Sequence, residues 1–239
     1  SFGRHIDKSY HFNINNINLE NLDSIIDLGV TFDSLLRFGL HINEKINKAY
    51  SILGIIKRNF NFLDKDSFLI MYKSLVRSHL EYANCIWSPY TMNDRKKLEK
   101  VQMRATKLIS EIKNLSYIDR LKYLNLPTLQ YRRCRGDMIM VFKLLSGVYD
   151  SNIACHFILN SNLVTRGHHL RLFKRHVHYD LRKYYFGNSV ISIWNSLPHH
   201  IINSNSIGIF EKNLDQFWRN QDCYFDYKSE MAGTGSRSQ

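Results

Sequence analysis

Four cations recur at helical spacing in the middle of this 239-residue chain, and phosphate binding is the chemistry that such a row can perform. Their positions are i, i+4, i+8 and i+11, and at about 100° per residue this spacing gathers them on one side of a helix. They are Lys96, Lys100, Arg104 and Lys107. Such side chains neutralise the phosphates of a nucleic acid, although a solvated helix face has the same composition. The sequence leaves both interpretations open.

Two further groups of cations extend this candidate nucleic-acid surface. Arg132, Arg133 and Arg135 crowd the first half of a predicted helix. The helix dipole favours anions at that end, so cations placed there indicate that an external anion is expected. The second group belongs to the stretch 166–183, which contains six Lys and Arg residues and four His residues against one Asp. The members that we assign to the same surface are Arg171, Lys174 and Arg175.

Aromatic residues accompany the basic middle of the chain and admit two interpretations. Bases of a nucleic acid stack on exposed aromatic rings. Aromatic residues at helical spacing are, however, more often part of a hydrophobic core. The residues concerned are Tyr72, Tyr82, Trp87 and Tyr90.

Catalytic constellations are missing from the sequence. Metal-dependent polymerase or nuclease chemistry needs clustered carboxylates, and the chain has no adjacent pair of aspartates. His176 and His178 could chelate a metal from a strand, but without a carboxylate or cysteine nearby they fit an anion-facing surface better. Neither a phosphate-cradling glycine loop nor a nucleophile elbow is present. We therefore predict neither enzymatic activity nor a cofactor for this chain by itself.

The charge of the chain is uneven as well as high. The formal net charge is +12, and residues 41–150 hold 20 Lys and Arg against 10 Asp and Glu, a net of +10. A basic excess on the middle segment favours a polyanion partner, with nucleic acid ahead of a membrane. No apolar run approaches the roughly 18 residues of a membrane span. Four scattered cysteines indicate reduced thiols, so we expect a nuclear or cytoplasmic protein.

The elements that must position these residues are mainly helical, with a small N-terminal β-ribbon, an α+β class. Residues 1–40 predict the ribbon, with strands at Ser9–Ile14 and Ser24–Asp33, a turn at Asn15–Asn16 and a bulge or close approach at Gly29. Two or three strands alone are marginal, so the ribbon is expected to be the edge of a larger sheet.

The helical part divides into a main bundle and a smaller region. Residues 41–150 predict the bundle, whose central stretch Asp66–Ile112 reads as two amphipathic helices broken at Trp87–Tyr90, because Pro89 cannot continue a helix. Residues 151–222 predict a smaller, looser and basic helical region. The small, polar residues near the C-terminus predict a disordered tail at 223–239.

Eight segments of the chain together resemble the carboxy-terminal half of the reverse transcriptase of non-LTR retrotransposons, the LINE elements of the CR1/jockey kind. They occur in that family's order and cover nearly the whole chain to about residue 220. The segments are DLGVTFD (27–33), HINEKINKA (41–49), HLEYANCIWSPY (79–90), LEKVQMRATKLI (98–109), LKYLNLPTL (121–129), RRCRGDMIMVF (132–142), NSVISIWNSLP (188–198) and FEKNLDQFW (210–218).

The resemblance implies that the ribbon is the remnant of the edge of a polymerase palm and that the helices after it are the thumb, which grips template and primer. It implies RNA or an RNA–DNA hybrid as partner, with the missing palm and fingers or another protein as further partners. The family's catalytic Tyr-x-Asp-Asp motif, and the Mg²⁺ that it binds, should belong to sequence upstream of Ser1. The alternatives are a helical protein–protein interaction module and a transposon relic without function.

Overall fold

The computed structural model describes residues 13–20, 22–149, 157–160 and 169–232. The chain is mainly helical, with a small β-ribbon at its N-terminal end, as the sequence predicts. The helices are α1 Gly39–Asn59, α2 Lys65–Met71, α3 Ser78–Glu81, α4 Asn84–Trp87, α5 Met92–Ala105, α6 Tyr117–Leu124, α7 Leu129–Leu145, α8 Asp180–Lys183, α9 Phe186–Ser189, α10 Ile191–Ser196, α11 His199–Ile202 and α12 Ile207–Phe217.

Within residues 13–20 and 22–33, the ribbon consists of two antiparallel hairpins, each with two strands. Strands β1 Asn13–Ile14 and β2 Ile17–Asn18 are joined at Asn15–Asn16, where both residues have positive φ, as the predicted turn requires. Strands β3 Ser24–Asp27 and β4 Val30–Asp33 are joined at Leu28–Gly29, which also have positive φ. The predicted single strand 24–33 is therefore wrong: Gly29 turns the chain rather than forming a bulge. Residues 9–12 of the other predicted strand lie outside the described residues.

Strand β4 attaches the ribbon to helix α1. Val30 and Thr31 are buried, the backbone N–H of Thr31 donates to Nδ1 of His41, and the Thr31 hydroxyl donates to Glu44 (2.8 Å). The carboxylate of Asp33 accepts three backbone N–H groups from the turn that leads into α1. Strand β3 is exposed along its whole length. The ribbon is thus held on one side and open on the other.

The predicted first helix of the central stretch is interrupted earlier than the sequence suggests. Residues Tyr72–Arg77 form a π-helical turn between α2 and α3, where Ser74 donates to the carbonyl four residues before it. Helix α3 then ends at Glu81, and Ala83, two residues later, has a φ of 52°. The break predicted at residues 87–90 is present as well, between α4 and α5. Trp87 is buried there, and its indole N–H donates to the carbonyl of Tyr82 (2.7 Å).

Two hydrophobic cores divide the described chain, and helix α7 joins them. The first core extends from Val30 in β4 to Leu129 at the start of α7. The second begins at Tyr131 and includes Trp194 and Trp218. The sequence placed a boundary near residue 150 because the pattern loosens there. The two cores meet at residues 129–131, because α7 buries side chains against both. The domain boundary near residue 150 stays a prediction.

The 3-10 turn at Asp222–Tyr224 packs on the start of helix α7. The turn buries Cys223, and its carbonyls accept from Thr128 at the start of α7: the Thr128 hydroxyl donates to Cys223 (2.6 Å) and its N–H to Tyr224 (2.9 Å). Met231 is also buried. This ordered segment differs from the predicted disordered tail, because the long-range contact with Thr128 cannot be read from composition. Residues 233–239 lie outside the described part of the chain.

Candidate nucleic-acid interface

Helix α5 carries the row of four cations, and its own sequence fixes where the helix begins and which side faces inward. Thr91 caps the helix by accepting the backbone N–H of Asp94 (3.1 Å). Leu98, Val101 and Ala105 are fully buried on the inner side. The outer side is therefore fixed by the helical period as soon as the inner side is packed.

The four cations of this row are exposed on the outer side of α5 and of the 3-10 turn Thr106–Leu108 that continues it. They are Lys96, Lys100, Arg104 and Lys107, referred to below as the α5 row. Within the described residues, no carboxylate forms an ion pair with any of them. The Arg104 guanidinium lies over the ring of Tyr50 on α1, 5.4 Å from its centroid, which orients that charge without neutralising it. The row spans roughly 17 Å at the rise of a helix.

Gln102 links the inner side of α5 to three neighbouring elements and holds the helix at a fixed rotation. It accepts a hydrogen bond from the Tyr72 hydroxyl (2.6 Å). Its Nε2 donates to the carbonyl of Pro127 and to the Tyr117 hydroxyl, each at 3.0 Å. A buried amide with its bonds satisfied by three elements specifies one packing arrangement. The α5 row therefore keeps one orientation relative to the rest of the chain.

Glu99 is the second polar residue on the buried side of α5. Its Oε1 accepts from the Tyr117 hydroxyl (2.5 Å), and its Oε2 accepts from the backbone N–H of Leu129 (3.1 Å). Burial raises the pKa of this carboxyl to about 7, against the opposing effects of the Tyr117 bond and of the charge on Arg133. Burial and the nearby Glu99 carboxyl raise the pKa of the Tyr117 hydroxyl.

The apolar pattern of α5 does not by itself predict that Glu99 and Gln102 are buried. They stand three residues apart, each directly after an apolar position of the buried stripe. A pair of polar residues that flanks an apolar stripe in this way is the sequence signal of a buried polar network.

Two of the three arginines of α7 form ion pairs with carboxylates of the protein itself, and the third is buried. Arg132 forms a two-point ion pair with Glu81 of α3, and Arg135 forms another with Asp215 of α12, with one N–O distance of 2.9 Å in the latter. Arg133 is buried and interacts electrostatically with Glu99, and burial lowers its pKa. Arg132 and Arg135 thus have counter-charges within the protein, from elements distant in sequence. That these three arginines contact a nucleic acid stays a prediction.

Asp137 lies one turn after Arg133 and completes a buried group of charges. Burial raises the pKa of its carboxyl to about 7, and the charge of Arg133 opposes this change. One carboxylate oxygen of Asp137 and both terminal nitrogens of Arg133 are buried without a hydrogen-bond partner among the described residues. The carboxyl of Asp137 also helps to raise the pKa of Cys134, which reaches about 12 mainly through burial. These groups lie in the interior of the protein, so they are not part of a surface that a polyanion could contact.

The predicted stacking residues separate into structural and surface groups. Tyr72 and Trp87 are buried, so the core interpretation is correct for both. Tyr82 is exposed, but its hydroxyl donates to the carbonyl of Leu28 and connects α3 to the ribbon. Tyr90 stacks on Tyr184, with ring centroids 4.5 Å apart and planes inclined by 13°.

The basic C-terminal cluster consists of Arg171, Lys174 and Arg175, which flank Leu172, a buried residue of the second core. The Lys174 ammonium donates to the Ser192 hydroxyl (2.6 Å), Arg175 is exposed, and Arg171 is partly buried. Arg166 falls outside the described residues. The rings of His176 and His178 meet edge to face at 4.9 Å. Within residues 13–20, 22–149, 157–160 and 169–232, no group of three or more His, Cys, Asp or Glu side chains could hold a metal ion.

The helices of the described ranges were compared with the length and hydropathy of a membrane-spanning helix. None of them is both long enough and apolar enough to cross a bilayer.

Comparison with known proteins gives one informative similarity. Uncharacterized protein B0403.1 of Caenorhabditis elegans is 27% identical to this chain over 130 residues, which are 53% of this chain and 66% of that protein. The chain thus covers just under two thirds of that relative. No known family model and no solved structure matches this chain.

Proposed function

We propose that this chain binds a nucleic-acid duplex, and that it does so as the thumb-bearing part of a non-LTR retrotransposon reverse transcriptase. The observation that carries the proposal is the α5 row: four exposed cations without carboxylate partners among the described residues, on a helix whose inner side is fully engaged. The order of the eight segments that resemble the reverse transcriptase is the support for proposing that class of polymerase. Catalysis and Mg²⁺ binding are not proposed for this chain and belong to the complete polymerase.

The proposed mechanism is contact with the phosphate backbone. A straight row of exposed cations about 17 Å long can follow the phosphates of one strand, which recur every 3.4 Å or so along the axis of B-form DNA. Phosphate contacts position a protein on a duplex but carry no sequence information. The fixed rotation of α5, set by Gln102 and Glu99, presents all four charges together. Binding should therefore be strongly dependent on salt and weakly dependent on sequence.

Reversal of the charges in the α5 row is expected to weaken binding of an RNA–DNA hybrid by about 100-fold. The variant is Lys96→Glu, Lys100→Glu, Arg104→Glu and Lys107→Glu. Four exposed ion pairs at roughly 0.7 kcal/mol each sum to about 2.8 kcal/mol. The slope of log K against log salt concentration should become less steep by about 3 to 4, since each phosphate contact contributes about 0.9. Fluorescence anisotropy with a labelled hybrid at several salt concentrations measures both quantities.

A second variant with the same change in net charge is the matched control. Lys122, Lys212, Arg219 and Lys228 are exposed on other parts of the chain, and their replacement by Glu alters the net charge equally. The control is expected to keep most of the affinity and most of the salt slope. Equal losses in both variants would show a general charge effect, and no binding by the unaltered chain at low salt would refute the proposal.

A helical interaction module is the second candidate, and the ribbon favours it. Ile26 on strand β3 is 70% exposed, and Leu28 in the turn that follows it is 84% exposed. Apolar residues on an open strand edge are typical of surfaces that meet another protein. This candidate predicts a partner complex that survives reversal of the α5 row and is lost on Ile26→Lys. Size-exclusion chromatography of both variants with the candidate partner separates the two functions.

A further inference from the structure

A second surface of the chain combines exposed aromatic rings with cations. Between residues 173 and 185, Tyr179, Tyr185 and Phe173 are 70%, 55% and 50% exposed. Arg175, Arg182 and Lys183 are exposed in the same segment, and Asp180 is its one carboxylate. Exposed aromatic rings interleaved with cations in one short segment match the surfaces that bind single-stranded nucleic acid.

The segment is fixed at both ends and open between them. At its start, the side-chain amide of Asn195 bonds both the N–H and the carbonyl of Leu172, and the N–H of Phe173 donates to Ile158 (2.7 Å). At its end, the carbonyl of Tyr185 accepts the backbone N–H groups of Asn188 (3.0 Å) and Ser189 (2.9 Å). The backbone that presents the exposed rings is therefore anchored at both ends, which lowers the entropy cost of binding.

The aromatic surface meets the N-terminal end of helix α5. Tyr184 carries the ammonium of Lys183 over its ring at 5.2 Å and stacks on Tyr90, the residue before the Thr91 cap of α5. Lys96, the first cation of the α5 row, follows the first residue of that helix by about 6 Å along its axis. The stacked tyrosine pair thus joins the aromatic surface to the end of the row where the proposed duplex contacts begin.

We propose that residues 173–185 are a stacking platform for single-stranded nucleic acid, so that the chain holds a junction between a duplex and a single strand. Bases would stack on Tyr179, Tyr185 and Phe173, while Arg175, Arg182 and Lys183 contact the phosphates between them. The platform adds single-strand binding to the duplex binding proposed for the α5 row. The junction proposal therefore rests on the proposed function. A duplex alone would not use the platform, because paired bases are already stacked on one another and have no free face to offer the rings.

The test uses the full chain and three labelled probes: a blunt RNA–DNA hybrid, the same hybrid with a single-stranded RNA extension of about ten nucleotides, and that RNA strand alone. The extension is expected to raise the affinity of the unaltered chain. Each base that stacks on an aromatic ring contributes about 5- to 150-fold in affinity. The variant Tyr179→Ala with Tyr185→Ala should therefore lose at least about 25-fold on the extended probe, and nothing on the blunt hybrid.

Two control variants separate stacking from other effects. Tyr179→Phe with Tyr185→Phe keeps the rings and is expected to retain the affinity for the extended probe. Phe62→Ala with Phe217→Ala removes two exposed rings elsewhere on the chain and should leave all three affinities unchanged. Because all four altered positions are exposed, circular dichroism and the melting temperature should agree among the variants.

The outcomes distinguish this proposal from the proposed function. If the extension adds no affinity, or if Tyr179→Ala with Tyr185→Ala keeps it, the platform is refuted, whereas binding of the blunt hybrid still supports the α5 row. If the single strand binds through the tyrosines and the blunt hybrid does not bind, the platform stands and the duplex proposal fails. Equal, tyrosine-dependent binding to vesicles of phosphatidylserine would also refute the platform, because it would identify a lipid surface as the partner.

Discussion

Replacement of Glu99 by alanine is expected to lower the free energy of unfolding by about 3–5 kcal/mol. The substitution leaves the Tyr117 hydroxyl and the Leu129 N–H without their acceptor inside the protein. It also removes a carboxyl whose negative charge stabilises the positive charge of the buried Arg133 guanidinium. Each unsatisfied buried group costs about 1–3 kcal/mol, and an uncompensated buried charge costs more. Chemical denaturation followed by circular dichroism at neutral pH measures the change.

The control for this prediction is the same substitution at an exposed position. Glu111 is exposed and accepts one hydrogen bond, from the Tyr123 hydroxyl (3.2 Å). Glu111→Ala is expected to change the free energy of unfolding by less than about 0.5 kcal/mol. A loss below about 1 kcal/mol in Glu99→Ala would mean that the network around α5 does not fix the helix, and the argument for a preoriented α5 row would lose its support.

The contribution of Glu99 to stability is expected to fall as the pH rises. Burial raises its pKa to about 7 in the folded chain, above the ordinary glutamate value of 4.5. Between these values the unfolded chain releases a proton that the folded chain retains, so raising the pH favours unfolding. The proton-linked part of this group's contribution to stability is fully present below about pH 4.5 and is lost by about pH 8, an effect of about 3 kcal/mol. Asp137, with its pKa raised in the same direction, adds to the decline.

Comparison with Glu99→Gln separates the pH dependence of stability that comes from Glu99 from the titration of other groups. The variant cannot ionise at that position, so its stability relative to the unaltered chain should rise by about 3 kcal/mol between pH 4.5 and 8. Denaturation at several pH values measures both curves, and Glu111→Gln serves as the exposed control with a curve parallel to that of the unaltered chain. Parallel curves for Glu99→Gln would contradict the raised pKa.

The local pattern of the sequence was sufficient for the class of fold and for the α5 row. A helix of 3.6 residues per turn fixes the outer face once the inner face is known, so the spacing of Lys96 to Lys107 against Leu98, Val101 and Ala105 placed the row correctly in solvent. The turn at Asn15–Asn16 and the cap at Thr91 are also local, because each depends on residues within a few positions. The hairpin turn at Leu28–Gly29 was missed, although its positive φ values suit a glycine.

The roles of the remaining charged residues were decided by tertiary structure. Arg132 and Arg135 have the same side chain as Arg104, yet they pair with carboxylates 51 and 80 positions away in the sequence. Glu99 and Gln102 look like solvated helix residues until the packing of Tyr72, Tyr117 and Leu129 encloses them. The segment after residue 222 is ordered by Thr128, 95 positions before Cys223. The sequence by itself determined which residues share a helix face, because that depends on the period of the backbone. Only the tertiary structure decided which cations remain without a partner in the described chain, since that depends on contacts between distant segments.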